Sequence, residues 1–87
     1  MVSKRLRFTL QKILGGRSDA NIAFRDLIRV LHALGFEERV RGGHHILWKE
    51  GIPEIINLQP IGTKAKPYQV KQVRGILSSH TLGFDDE

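Results

Sequence analysis

Cysteine is absent from all 87 residues. That rules out a disulfide framework and a thiolate zinc site, and it fits a reducing compartment such as the cytoplasm. Long apolar runs are also missing. Uncharged stretches such as residues 55–63 fall far short of the ~20 apolar residues that a membrane span requires. Acids are scarce at the front: residues 1–18 contain basic side chains and no Asp or Glu. Gln11 and Lys12 interrupt the apolar positions there, so the stretch reads as a basic amphipathic helix rather than a secretory signal.

What is present describes one small domain. Apolar residues make up 40% of the chain, enough for a modest core. Fourteen Lys and Arg against nine Asp and Glu give a net charge of +5. Three of the acids are the final residues, Asp85, Asp86 and Glu87, so the body is more basic than the total. Such a body favours polyanions, with nucleic acid first and an acidic protein second.

Periodicity predicts the elements. Leu6, Leu10, Ile13 and Leu14 share a helical face; Ser3 is placed to cap it and Gly15-Gly16 to stop it. Phe24, Leu27, Ile28, Leu31 and Leu34 mark a second amphipathic helix, closed by Gly35. "FEERVR", "HHILWK" and "EIINLQ" read as three strands joined by short glycine turns, hence an antiparallel meander. Pro67 suits the first turn of a last helix reaching about Ser79. The fold class is α+β: a three-stranded antiparallel sheet with helices packed on one face, in the order α-β-β-β-α, plus an extra N-terminal helix. Residues 1–20 form that basic helix and its loop, 21–80 the domain proper, and 81–87 an acidic tail expected to fray.

Alternation on the middle strand predicts Ile46 and Trp48 against the helices, with His45, Leu47 and Lys49 outward. On the first strand it turns Val40 inward and Arg39 and Arg41 outward. Trp48 is accordingly expected in the core. Arg39, Arg41 and Lys49 are candidate phosphate contacts. So are Lys64 and Lys66, which precede a helix N-terminus. His32 reads as a solvated helix residue and His80 has no assigned role. Adjacent strand histidines point apart, and no carboxylate stands at ligand spacing, so no metal or other cofactor is expected.

The run "FRDLIRVLHALGFEERVRGGHHILWKEG", then "INLQP", a lysine-bearing loop and "QVKQVRGIL", resembles the HicA family of small bacterial toxins over about residues 21–79. The resemblance implies a fold like that of the double-stranded-RNA-binding domain. It also implies an endoribonuclease that cleaves mRNA, the toxin half of a toxin–antitoxin pair, neutralised by a HicB-type antitoxin. The family's catalytic histidine closes a Gly-Ser-(His or Asn)-His motif, which maps onto Gly42, Gly43, His44 and His45. His45 is thereby implied as the catalytic residue, and the glycines with His44 as RNA contacts. Gly43 departs from the motif's serine.

RNA carries its own nucleophile, the 2′-hydroxyl, so a general base, a general acid and positive charge near the phosphate suffice. One imidazole can take the 2′-hydroxyl proton, and His44, Lys64, Lys66, Arg41 or water can assist the leaving oxygen and the phosphate. The alternative reading is a non-catalytic RNA-binding module of the same fold. A third is a basic face that docks an acidic protein.

Overall fold

The computed structural model describes residues 2–84. Helix α1 spans Lys4–Gly15, a short 3-10 turn Asp19–Asn21, and helix α2 Phe24–Ala33. Strands β1 (Glu37–Arg41), β2 (His44–Lys49) and β3 (Ile52–Leu58) precede helix α3 (Pro67–Ser79). The strands form one antiparallel sheet in the order β1-β2-β3. The α+β architecture, the meander and the additional N-terminal helix are those the sequence predicts.

Local chemistry explains the boundaries. The Ser3 hydroxyl accepts from the Leu6 amide at 3.1 Å and caps α1, while Gly16, at φ 74°, takes the left-handed position that ends it. Pro67 opens α3, where a missing N–H costs nothing. Leu10 and Ile13 of α1 join Leu27, Val30 and Leu31 of α2 and Val70, Val73 and Leu77 of α3 in one core. Leu47, Ile56 and Leu58 complete it from the sheet, each fully buried.

Those sheet residues reverse the expected parity of β2. Leu47 points into the helices, so His45 and Lys49 share its face, while Ile46 and Trp48 lie half-buried on the open face. Trp48 is therefore not a core residue. β2 carries apolar side chains on both faces, so alternation within it does not choose. The choice comes from the neighbouring strand, where Ile56 stands opposite Leu47 and Leu58 opposite His45. Val40, opposite His45, does take the helix side as expected, yet it is 55% exposed. Arg39 and Arg41 do face away from the helices, paired with Ile46 and His44.

Beyond α3 the chain stays in contact with the body. Leu82 and Phe84 pack against the core, the Leu82 amide donates to the Leu77 carbonyl at 2.8 Å, and His80 pairs with Glu54 at 2.8 Å. Asp85, Asp86 and Glu87, where the tail was expected to fray, lie outside the described residues.

Candidate active site

The hairpin β1–β2 turns in two residues, Gly42 and Gly43, because Arg41 pairs directly with His44. Their φ values are +51° and +83°. Positive φ at both central positions is the type I′ turn, whose twist matches the strands and which favours Gly and Asn. A serine at position 43 would have to adopt this conformation, which gives a physical reason for the glycine there. The turn fixes the register, and the register fixes which histidine meets which partner.

His45 lands on the helix side, at the end of the sheet where α2 begins. Its ring stands edge-on to Phe24, with centroids 4.8 Å apart and planes at 67°. Glu38 lies on the same face, one diagonal step along the β1–β2 ladder, because Glu38 pairs with Leu47 and Val40 with His45. From there its Oε2 accepts a hydrogen bond from His45 Nδ1 at 2.6 Å. That bond places the imidazole proton on Nδ1 and leaves Nε2 with its lone pair. Phe24 fixes the ring plane and Glu38 the tautomer. The His45 side chain keeps 24% of its surface exposed, so one edge still meets solvent.

Glu38 is shared. Its other oxygen, Oε1, binds His32 Nε2 at 2.8 Å, and His32 Nδ1 contacts the Phe36 carbonyl at 3.0 Å. An acceptor stands at each nitrogen of His32. His32, an exposed helix residue as the sequence suggested, is thus also a second partner of the carboxylate. Partial burial, the largest influence on Glu38, pushes its pKa up. The hydrogen bonds from His45 and His32 outweigh it and hold the carboxyl below its ordinary value.

The remaining candidates divide. His44 lies on the open face beside Arg41, exposed, with Nδ1 3.2 Å from Asn57 Oδ1. Arg39 and Arg41 share that face, so the arginine strand and His45 look out from opposite sides of the sheet. Lys49 is on the His45 face but roughly 13 Å along β2, at about 3.3 Å per residue, and it lies across Gly35. Lys64 is tied to the segment that leads into α2. It bridges Ala23 just before α2, and the neighbouring Thr63 carbonyl accepts from the Phe24 amide at 2.9 Å. Its Nζ is steadied by Asn21 Oδ1 at 3.1 Å. Lys66 follows, half-buried, as the N-cap of α3.

A hydrogen-bonded imidazole with a free Nε2 at a partly open edge can accept and return a proton. The family comparison bears on what such a group serves. The family described as HicA toxin of bacterial toxin-antitoxin matches residues 24–78, more than half of the chain. The chain belongs to the HicA toxin family. The HicA match begins at Phe24, the ring against His45, and leaves α1 outside. No curated protein and no solved structure matches the chain. Membership makes this HicA chain a toxin component of a toxin–antitoxin system. Among the described residues no helix is long and apolar enough to cross a membrane.

Glu38 and His32 are the residues sequence reasoning missed. A signal was available: with His44 opposite Arg41 across a two-residue turn, Glu38 and His45 fall one diagonal apart on one face. His32 was not accessible in that way, because its contact depends on how α2 lies on the sheet.

Proposed function

We propose that this HicA-family chain is a metal-independent endoribonuclease acting on mRNA, with His45 as its catalytic residue. The observation that carries the reading is the Glu38–His45 pair: a carboxylate on Nδ1 leaves Nε2 as a proton acceptor at an exposed edge. Nε2 takes the proton of a ribose 2′-hydroxyl. The 2′-oxygen attacks the adjacent phosphorus, the bond to the 5′-oxygen breaks, and a 2′,3′-cyclic phosphate remains. The proton held by the imidazolium returns to the leaving 5′-oxygen through water at the open edge. Glu38 stabilises the imidazolium between those steps without itself taking the proton.

Lys64 and Lys66, in the loop beside the start of α2, supply positive charge for the phosphate. Arg39, Arg41, His44 and the Gly42-Gly43 turn meet flanking RNA on the other side of the hairpin, and Lys49 meets it farther along. The protein partner is an antitoxin of the HicB type that covers this edge, and the setting is the cytoplasm.

The test is incubation of purified chain with RNA in the presence of a chelator. Fragments ending in cyclic phosphate are expected from the wild type, and intact RNA from His45→Ala. Intact RNA with well-folded wild type, together with retained binding, would instead identify a non-catalytic RNA-binding module.

A further inference from the structure

Where β3 gives way to α3, a cavity of about 280 Å³ opens among His44, Asn57, Gln59, Tyr68 and Gln69. It reaches the sheet end that holds His45, but from the open side, through His44. Its size is near the lower bound of small-ligand clefts, roughly 300 Å³. The lining is unusual in kind: three amides, an imidazole and a phenol, with no carboxylate, lysine or arginine. A phosphate or a carboxylate would find no counter-charge there. A neutral ring carrying both donors and acceptors would find partners for each.

The polar atoms are set for such a ring. His44 Nδ1 donates to Asn57 Oδ1 at 3.2 Å, which leaves His44 Nε2 as an acceptor and the Asn57 amide nitrogen as a donor. Gln69 is 4% exposed, and its Oε1 accepts from the Gln59 backbone amide at 3.3 Å. Among the described residues no buried side-chain nitrogen or oxygen lacks a partner, so the Gln69 amide nitrogen reaches accessible space, and the cavity it lines is that space. Tyr68 stands at the rim, 65% exposed, on the second residue of α3, immediately after Pro67. An aromatic ring held out at the edge of an amide-lined cleft is the arrangement that stacks an unpaired base and reads its edge.

We propose that this cavity is a nucleobase subsite for single-stranded RNA. Tyr68 stacks on the base, and Asn57, Gln59 and Gln69 with His44 read its hydrogen-bonding edge. Lys66, two residues before Tyr68, is placed for the adjoining phosphate. The subsite would give the nuclease reading above, on which it rests, a preference for one base beside the cleaved bond.

The test uses the full chain carrying His45→Ala, titrated with a fluorescent oligouridylate and with three versions in which one central base is replaced. Affinities are expected to differ at least about fivefold among the four. Tyr68→Ala should weaken the best of them by roughly five- to a hundredfold, the span expected for one base–aromatic stack. Asn57→Ala combined with Gln59→Ala should level the four affinities. Circular dichroism checks that the variants remain folded, and the exposure of Tyr68 and Asn57 makes loss of the fold unexpected. Equal binding of all four oligonucleotides, no binding of any, or discrimination that survives both sets of substitutions would overturn the proposal. So would variants that weaken only the grip of an antitoxin. Base discrimination by a wild-type chain that leaves RNA uncut would keep the subsite and remove the nuclease.

Discussion

The Glu38 carboxylate reaches diagonally across two strands to within 2.6 Å of His45 Nδ1, while its second oxygen holds His32 at 2.8 Å. One acid thus ties a strand histidine to a helix histidine. Glu38→Gln keeps the shape and removes the charge. RNA cleavage is expected to fall at least about tenfold, in kcat rather than KM, since Glu38 acts through His45 and not on substrate. Nitrogen NMR of the His45 ring supplies the second readout: the Nδ1–H tautomer should lose its dominance. An unchanged tautomer with unchanged kcat would remove Glu38 from the mechanism.

The Gly42-Gly43 turn makes a prediction about the departure from the family motif. No atom lies within 4 Å of a Cβ placed on Gly43, so a side chain there meets no clash, only the φ of +83°. Gly43→Ser should therefore cost about 1–2 kcal/mol, the expense of a left-handed conformation. In thermal unfolding each kcal/mol corresponds to a Tm lower by about 4–8 °C in a domain of this size. Gly43→Asn should be close to neutral, because asparagine tolerates the conformation. Equal Tm values for serine and asparagine would contradict the turn assignment.

Acid titration should expose the depressed carboxylates, Glu38 and Asp19 among them. The Glu38 carboxyl is held below its ordinary value by its histidines against the opposing effect of burial, and Asp19 is held below by its hydrogen bonds from Arg74. A depressed folded-state pKa contributes stability that is complete above the unfolded value and is lost as pH falls through the folded one. Unfolding free energy should therefore decline as pH falls below about 4. Urea midpoints measured across that range check it. Asp19→Asn and Glu38→Gln should each make the decline shallower.

Arg74 links three pieces of chain. Its guanidinium binds Asp19 through two nitrogens, at 2.8 and 3.1 Å, and donates to the Ile13 carbonyl at 3.0 Å. Arg74→Lys keeps the charge but cannot reproduce the two-point geometry. A loss of about 1–2 kcal/mol in urea unfolding is expected, with RNA cleavage unaffected below the transition.

Much of this architecture was legible in the sequence, because its signals are local. The Ser3 cap, the glycine stops, Pro67 and the helical spacing of Phe24 to Leu34 each act within a few residues. The middle strand was not legible from its own alternation, since Ile46, Leu47 and Trp48 are all apolar and either face satisfies a hydrophobic pattern. Ile56 and Leu58 on the next strand decide it, and that pairing is tertiary information. The same inversion moves His45 from the arginine face to the helix face and gives it Phe24 and Glu38 as neighbours. The cavity at Tyr68 was unreadable for a similar reason: its lining comes from β2, β3, the residue after β3 and α3, and no spacing within any one of them announces it.

Leu10 and Ile13 are buried at 6% and 0%, and they belong to a helix that precedes the first residue shared with the family. The boundary drawn by kinship and the boundary drawn by packing therefore fall in different places. A gene fragment trimmed to the shared segment would encode a body with an oily flank laid bare and an arginine stripped of its aspartate. For this toxin, the body that packs around one core includes the opening helix.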